Sequence, residues 1–270
     1  MSKVILLTGA TDGLGALAAE MLAQAGHHLL LHGRNPTRLS HLADKLSAHT
    51  KIETYCCDLS SLKDVAKMAD EVLANHQHID VLINNAGVLR ADNLCTNEGL
   101  ELRFVVNAIA PYLLTTKLLQ VIADSGRVVN LSSAAQATIV PQALGRFDDY
   151  SDMAAYSMSK LAITSWTRQM AVMQKDLLED RVFVSVNPAS LLGTKMVKEG
   201  FGIDGSDIAV GADIICRAAL SDEFSAANGL YYDNDAKCFA PPHQDALDEA
   251  LGTAIIAQMA ETIAKVLNQA

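Results

Sequence analysis

The sequence predicts an α/β fold, a single domain on a doubly wound, parallel sheet of about seven strands. Short apolar runs rich in β-branched residues alternate with longer helical patterns along the whole chain. A cluster of glycines follows the first run and opens the first helix. The 270 residues, 50% hydrophobic and 19% charged, can close one large core without disulfide or metal staples.

KVILLT at 3–8 reads as a buried strand, and the alanine- and leucine-rich stretch to Ala25 as its helix. HLLLHG at 28–33 is the second strand, ended by Gly33, with Pro36 placed to open a helix. KIETYCC at 51–57 is the third, and Ser61 with Asp64 gives the next helix a capping-box start. DVLIN at 80–84 is the fourth. A long helix covers about 98–123, and RVVNLSS at 127–133 is the fifth strand. A helix over about 153–178 leads to RVFVSVN at 181–187, the sixth, and GLYYDN at 229–234 makes a seventh. Leu247, Leu251, Ile255, Met259, Ile263 and Leu267 recur every four residues and mark an amphipathic helix within 244–268, packed on the core or on a subunit. No repeat or linker interrupts the series, so 1–270 reads as one domain with right-handed crossovers.

Composition excludes several classes. A net charge of −10, from 21 basic and 31 acidic residues, offers no basic stripe for nucleic acid. No apolar run approaches the roughly 18 residues of a membrane span. The N-terminus lacks the long apolar region and cleavage site of a signal peptide. Five cysteines, with Cys56 and Cys57 adjacent and no CxxC pair, suggest reduced thiols in a cytoplasmic protein. The pairs His27–His28 and His76–His78 lack acidic partners at metal-site spacing, so no metal is expected and these histidines read as solvated or capping. Asn130 fits a glycosylation sequon but lies in a predicted buried strand. The acidity sits mainly at one end: residues 221–270 hold 2 basic and 8 acidic side chains, residues 1–50 hold 4 and 3.

The glycine cluster is TGATDGLG. Gly9 lets the chain turn off the strand, Gly13 lets backbone approach a pyrophosphate, and Gly15 lets the helix pack close. The helix N-terminus supplies free N–H groups and a positive dipole end for the anion. No Lys-Ser/Thr follows, which disfavours a nucleotide-hydrolysing loop. The TGxxxGxG spacing resembles the short-chain dehydrogenase/reductase family and its Rossmann domain. Further motifs fit in order: NNAG at 84–87, Asp58 after the third strand, Asn107 in VNAIAP, Ser133 at a strand end, YSMSK at 156–160, and Pro188 after the sixth strand. The resemblance spans about 3–240. It implies a cofactor site from Gly9, Thr11, Asp12, Gly13, Leu14, Gly15, Arg34, Asn35, Asp58, Leu59, Asn85, Ala86, Gly87, Tyr156, Lys160, Pro188 and Leu191, and a homodimer or homotetramer built through the long fourth and fifth helices.

Elementary chemistry supports the same centre. Hydride transfer to a carbonyl needs a proton donor, and the reverse reaction needs a base. Tyr156 and Lys160 lie one helical turn apart on one face, where the cation favours the phenolate. By resemblance Lys160 also bonds the nicotinamide ribose, Ser133 holds the substrate oxygen, and Asn107 supports a water-filled proton path. Ser132 competes for the serine role, and the family's habit favours Ser133. Arg34 ends the second strand, with Asn35, Thr37 and Arg38 beside it, where an acidic residue would select NAD. NADP(H) is therefore preferred, with NAD(H) possible; Asp12, where some relatives are basic, runs against it. The expected activity is interconversion of a small-molecule carbonyl and alcohol. A C=C reductase on the same scaffold or a cofactor sensor without turnover are the alternatives. Two departures from the family pattern stand out. About 134–152 is an extra segment resembling retinol-dehydrogenase-like and protochlorophyllide-reductase-like branches, expected beside the substrate pocket. In 189–205, a modified covering loop, Ala189 replaces the family's glycine.

Overall fold

The computed structural model describes residues 1–174 and 180–269. Strands β1 (Val4–Leu7), β2 (His28–Gly33), β3 (Ile52–Cys56), β4 (Ile79–Asn84), β5 (Ile122–Leu131), β6 (Val182–Asn187), β7 (Tyr231–Asp233) and β8 (Cys238–Phe239) form one sheet in the order 3-2-1-4-5-6-7-8. All pairings are parallel except β7 with β8. Helices α1 (Gly13–Gln24), α2 (Pro36–Leu46) and α8 (Ile208–Leu220) cover one face. On the other lie α3 (Leu62–Asn75), α4 (Leu102–Phe104), a π-helical turn at Val105–Ile109, α5 (Ala110–Leu118), α6 (Asp152–Gln174) and α9 (Glu249–Leu267). The short α7 (Lys195–Phe201) stands apart from both layers with no buried residue.

Strand residues alternate between two cores. Ile5 and Leu7 join one cluster and Leu6 the other, as a two-residue period requires when both faces are covered. Strand order reverses between β1 and β4, so a crevice opens at their carboxyl ends, where doubly wound sheets bind ligands. The caps act as the sequence suggests: Asn35 accepts from Arg38 N with Pro36 in the first turn, and Ser61 accepts from Asp64 N.

Several expectations are corrected. The helix expected to 123 stops at Leu118, because Ile122 already pairs with Ile79 in the sheet. β5 then bulges, its register jumping to Arg127 opposite Val81. The last four residues of the helix expected over 153–178 lie outside the described residues. The eighth strand is two residues long, too short to carry a periodicity; the Phe239 ring meets Tyr232 edge-on at 5.1 Å. In α9 the buried residues are Gly252, Ile255, Met259, Thr262 and Val266, whereas Leu267 and, in the turn just before the helix, Leu247 are exposed. A strict four-residue repeat rotates about 40° per step around a 3.6-residue helix, so its ends leave the packed face. By length and composition α9 could cross a membrane even though no unbroken apolar run occurs. In this fold its inner face packs on the layer containing α6.

The histidine expectation is also revised. His28 and His76 are not solvated; both bond Glu53, at 2.9 and 3.1 Å, at the amino edge of the sheet. Among the described residues no group of three potential ligands could hold a metal ion.

Candidate active site

The phosphate-binding turn is built by backbone conformation. Gly9 (φ +67°) and Gly13 (φ +52°) are left-handed. A Cβ on Gly15 would lie 2.2 Å from the Gly9 carbonyl oxygen, so only glycine lets α1 close on the turn. Gly33 is also crowded, since a Cβ there would meet the Thr11 side chain at 2.6 Å. Asp12 caps α1 by accepting from Gly13 N at 2.8 Å. The Leu14 and Gly15 N–H groups have no acceptor among the described residues, as an anion site at a helix start requires. The Leu14 side chain turns away, toward Gly211 on α8.

His32 supports this turn from below, a contact the sequence did not suggest. It is 2% exposed; its Nδ1 accepts from Gly9 N at 3.2 Å and its Nε2 faces the Cys57 carbonyl at 3.0 Å. These partners fix the tautomer, with the proton on Nε2. Burial lowers its pKa to about 4.

The NNAG residues are mostly structural. Asn84 bonds Asn130 at 2.8 Å in the buried sheet. Asn85, expected at the cofactor, donates its Nδ2 to the carbonyls of Thr8 (2.8 Å) and Gly9 (3.2 Å). The Thr8 hydroxyl in turn accepts from Asn85 N and Ala86 N. The clasp binds the end of β4 to the phosphate turn, so Asn85 shapes the crevice from behind. Gly87 is exposed; a Cβ there would stand 3.6 Å from both Asn107 Oδ1 and Lys160 Nζ.

Asn107 sits in the π turn, a distortion frequent at functional sites. Its amide is committed to protein: Oδ1 accepts from Val88 N at 2.8 Å, and Nδ2 donates to Val88 O and Ser159 Oγ, both at 2.9 Å. Ser159 Oγ donates onward to the Tyr156 carbonyl at 2.6 Å. Ser159 therefore ties Asn107 to the Tyr156 turn of α6, a role hidden inside the YSMSK motif.

Lys160 is 4% exposed and donates to the Leu131 carbonyl at 2.7 Å, with its Nζ 5.5 Å from the Tyr156 ring centre. Burial lowers its pKa to about 8. Burial raises the Tyr156 pKa, and the neighbouring Ser133 hydroxyl offsets part of that rise. The two serines face opposite ways. Ser132 bonds Thr164 Oγ1 at 2.6 Å inside the core, while Ser133 stands beside Tyr156.

Arg34 and Arg38 are exposed where β2 meets α2. Asp12 does not face them empty-handed: its second oxygen pairs with Arg38 at 3.3 Å. Asn35 is spent on the α2 cap. Asp58, exposed past β3, accepts from Ser60 N, and Leu59 is buried in the core.

Above the site lies the covering segment. Thr194 caps α7 and is the side chain nearest a Cβ built on Gly13, at 3.6 Å; Met196 Cε comes within 3.9 Å of one on Gly87. Arg90 pins α7 by donating to the Glu199 carbonyl at 2.6 Å and to Asp152 at 2.9 Å. The other Asp152 oxygen holds the fully buried Arg103, itself paired with Glu101. The Pro188 carbonyl accepts from Asn234, and the Leu191 side chain is 46% exposed. The extra segment starts beside Tyr156, with Ala137 N bonded to the Ser157 carbonyl at 3.2 Å.

A glycine-lined anion cradle at the switch point of a parallel sheet, with Tyr, Lys, Ser and Asn gathered at its edge, defines a dinucleotide-binding α/β protein. The family model for short chain dehydrogenases matches residues 3–201, and the chain belongs to that family. It is 34% identical over 176 residues to polyprenol dehydrogenase of Homo sapiens, covering 61% of this chain and 53% of that protein. It is 28% identical to the short-chain dehydrogenase TIC 32 A, chloroplastic, of Brassica napus, over 91% of this chain and 84% of that one. The chain spans about half the length of the human polyprenol and retinol dehydrogenases it matches. A crystal structure from Mycobacterium paratuberculosis superposes with a TM-score of 0.80 at 25% identity, covering 97% of this chain and 93% of that one. A short chain dehydrogenase of Shigella flexneri complexed with NADP gives 0.68 at 24%, covering 86% and 97%.

Proposed function

We propose that the chain is an NADP(H)-dependent oxidoreductase that interconverts a carbonyl and an alcohol, with Tyr156 as general acid and base. The carrying observation is the convergence of Tyr156, Ser133, Lys160 and Asn107 beside the glycine cradle and beneath the covering segment. The cradle fits a dinucleotide, since Gly13 presents bare backbone at the helix start and the Leu14 and Gly15 N–H groups have no acceptor among the described residues. Gly9, Thr11, Gly13, Leu14 and Gly15 would hold the pyrophosphate, Asp58 and Leu59 the adenine end, and Ala86, Gly87, Pro188 and Leu191 the nicotinamide end. The nicotinamide, when bound, supplies or accepts the hydride.

The chain's own residues handle the proton. In reduction the Tyr156 hydroxyl gives its proton to the substrate oxygen, and in oxidation the phenolate takes it back. Lys160, buried and close, favours the phenolate, and the Ser133 hydroxyl donates to the same oxygen. Asn107 fixes the Tyr156 turn through Ser159. Y156F is expected to lower turnover by about 10³-fold or more while NADPH still binds, measured by absorbance at fixed alcohol and by fluorescence titration. Unchanged turnover overturns the assignment, and NADPH binding without turnover on any carbonyl or alcohol favours a sensor.

Arg34 and Arg38 support NADP over NAD, because a guanidinium matches a 2′-phosphate and the strand end bears no carboxylate. The Shigella structure with NADP agrees in kind. R34A is expected to raise the KM for NADPH about tenfold or more and leave that for NADH nearly unchanged. Equal effects on both cofactors refute the role. The human relatives named for polyprenol and retinol place apolar alcohols first on the substrate panel.

A further inference from the structure

Ser133 lies two residues beyond the end of β5, where the sheet no longer holds it. The ladder's last contact is Ser132 N to the Val186 carbonyl at 2.8 Å. The Ser133 hydroxyl accepts from Ala135 N at 3.1 Å. Its carbonyl accepts twice, from the Tyr231 phenol at 3.1 Å and from Gln136 Nε2 at 3.0 Å. Tyr231 belongs to β7, two strands from β5, and reaches across β6 to make this contact. Its ring is 5% exposed, and burial raises its pKa, so the phenol remains a donor throughout the neutral range.

A hydroxyl has one proton and two lone pairs. The Ala135 N–H takes one lone pair, which leaves the Ser133 proton to point toward Tyr156 and the substrate oxygen. That direction holds only while the Ser133 peptide keeps its plane. Two donors on the carbonyl, one from β7 and one from the following turn, hold the plane from both sides. Resting on the reading of Ser133 above, we propose that Tyr231 and Gln136 are positioning residues, whose clamp on the Ser133 carbonyl aims its hydroxyl at Tyr156. Neither touches the reacting atoms. An error of about 1 Å at such a group can cost about 100-fold in rate.

Y231F removes only the phenol oxygen, and Q136E exchanges a donor for an acceptor at equal size. The first readout needs no turnover: the ¹³Cζ resonance of Tyr156, assigned with Y156F, follows hydrogen bonding and ionisation of its phenol. It is expected to move in both variants, while NADPH affinity stays within about twofold. The second readout is kcat, expected to fall about tenfold or more in each variant without a matching rise in the cofactor KM. In Q136E the deficit is expected to shrink as pH falls, because a protonated carboxyl again donates to the carbonyl. An unmoved Tyr156 resonance in folded Y231F, checked by circular dichroism, overturns the clamp. So does an unchanged kcat, or loss of NADPH binding in step with kcat. If Y231F does not fold, Q136E carries both readouts. If the wild-type chain turns over no carbonyl or alcohol, the functional reading fails, and the resonance still decides the clamp.

Discussion

Ala189 shows what a single residue can store. It follows β6 with φ at +115°, a region that a Cβ disfavours and that glycine enters freely. Its neighbours impose the conformation. Asp235 accepts from Ser190 N and Ser190 Oγ at 2.8 and 2.6 Å, and from Asn187 at 3.0 Å. Burial alone would raise the Asp235 pKa, but these hydrogen bonds outweigh it and hold the carboxyl below its usual range. The staple forces the covering loop to leave the strand at a fixed angle. A189G is expected to raise stability by about 1 kcal/mol, the relieved strain exceeding the entropy of a freer unfolded chain. Urea denaturation checks this, and a lower midpoint at unchanged slope refutes it. The departure at Ala189 was legible in the sequence, and its backbone cost was not. The same divide runs through the candidate site. Tyr156 and Lys160 announce themselves because helical spacing alone brings them together. Ser159, His32, Gln136 and Tyr231 were silent, because their partners come from other strands or from turns without a repeat.

At the scale of elements, strands were the more legible because a short buried strand has one periodicity and a sharp end. Every expected strand is present within a few residues, except that β5 begins earlier at Ile122, where a bulge breaks the pattern. Helices were legible in existence and less so in face. The leucines and isoleucines of α9 repeat every four residues, yet packing follows the 3.6-residue period through Gly252, Ile255, Met259, Thr262 and Val266. Small residues are part of that choice: Gly252 lies against Gln169 and Ser165 of α6, and Thr262 over the carbonyl of Leu144. A hydrophobicity pattern ignores glycine and threonine and so misses part of the packed face, although Leu251, Ile255, Met259 and Ile263 of the repeat lie in or against the core. M259A, fully buried, is expected to cost about 2–4 kcal/mol. L247A, 42% exposed, should cost less than about 0.5 kcal/mol despite belonging to the same repeat. Equal losses in chemical denaturation would restore the four-residue stripe as the packed face.

For the whole molecule, the charge of −10 and the buried bases pull stability in opposite directions as acid is added. Acid relieves the mutual repulsion of the carboxylates, a diffuse effect screened beyond about 8–10 Å at ordinary salt. Against it stand the histidines that burial holds neutral, His32 foremost. His32 has a pKa of about 4 in the fold, against 6.5 when unfolded, because burial excludes its charged form. Between those values the unfolded chain binds the extra proton, so stability rises with pH and is lost as pH falls through that window. The shift corresponds to about 3 kcal/mol in full. The loss also falls where function needs rigidity. Below about pH 4, where the folded ring itself takes the proton, Nδ1 no longer accepts from Gly9 N and the phosphate turn loses that support. Gln at this position can accept from Gly9 and donate to Cys57 without titrating. H32Q is therefore expected to flatten the stability profile between about pH 6.5 and pH 4, at some cost in stability at neutral pH. Urea titrations across that range decide it: a wild-type profile that is flat, or an H32Q profile that falls as steeply, removes His32 as the acid-labile point of the fold.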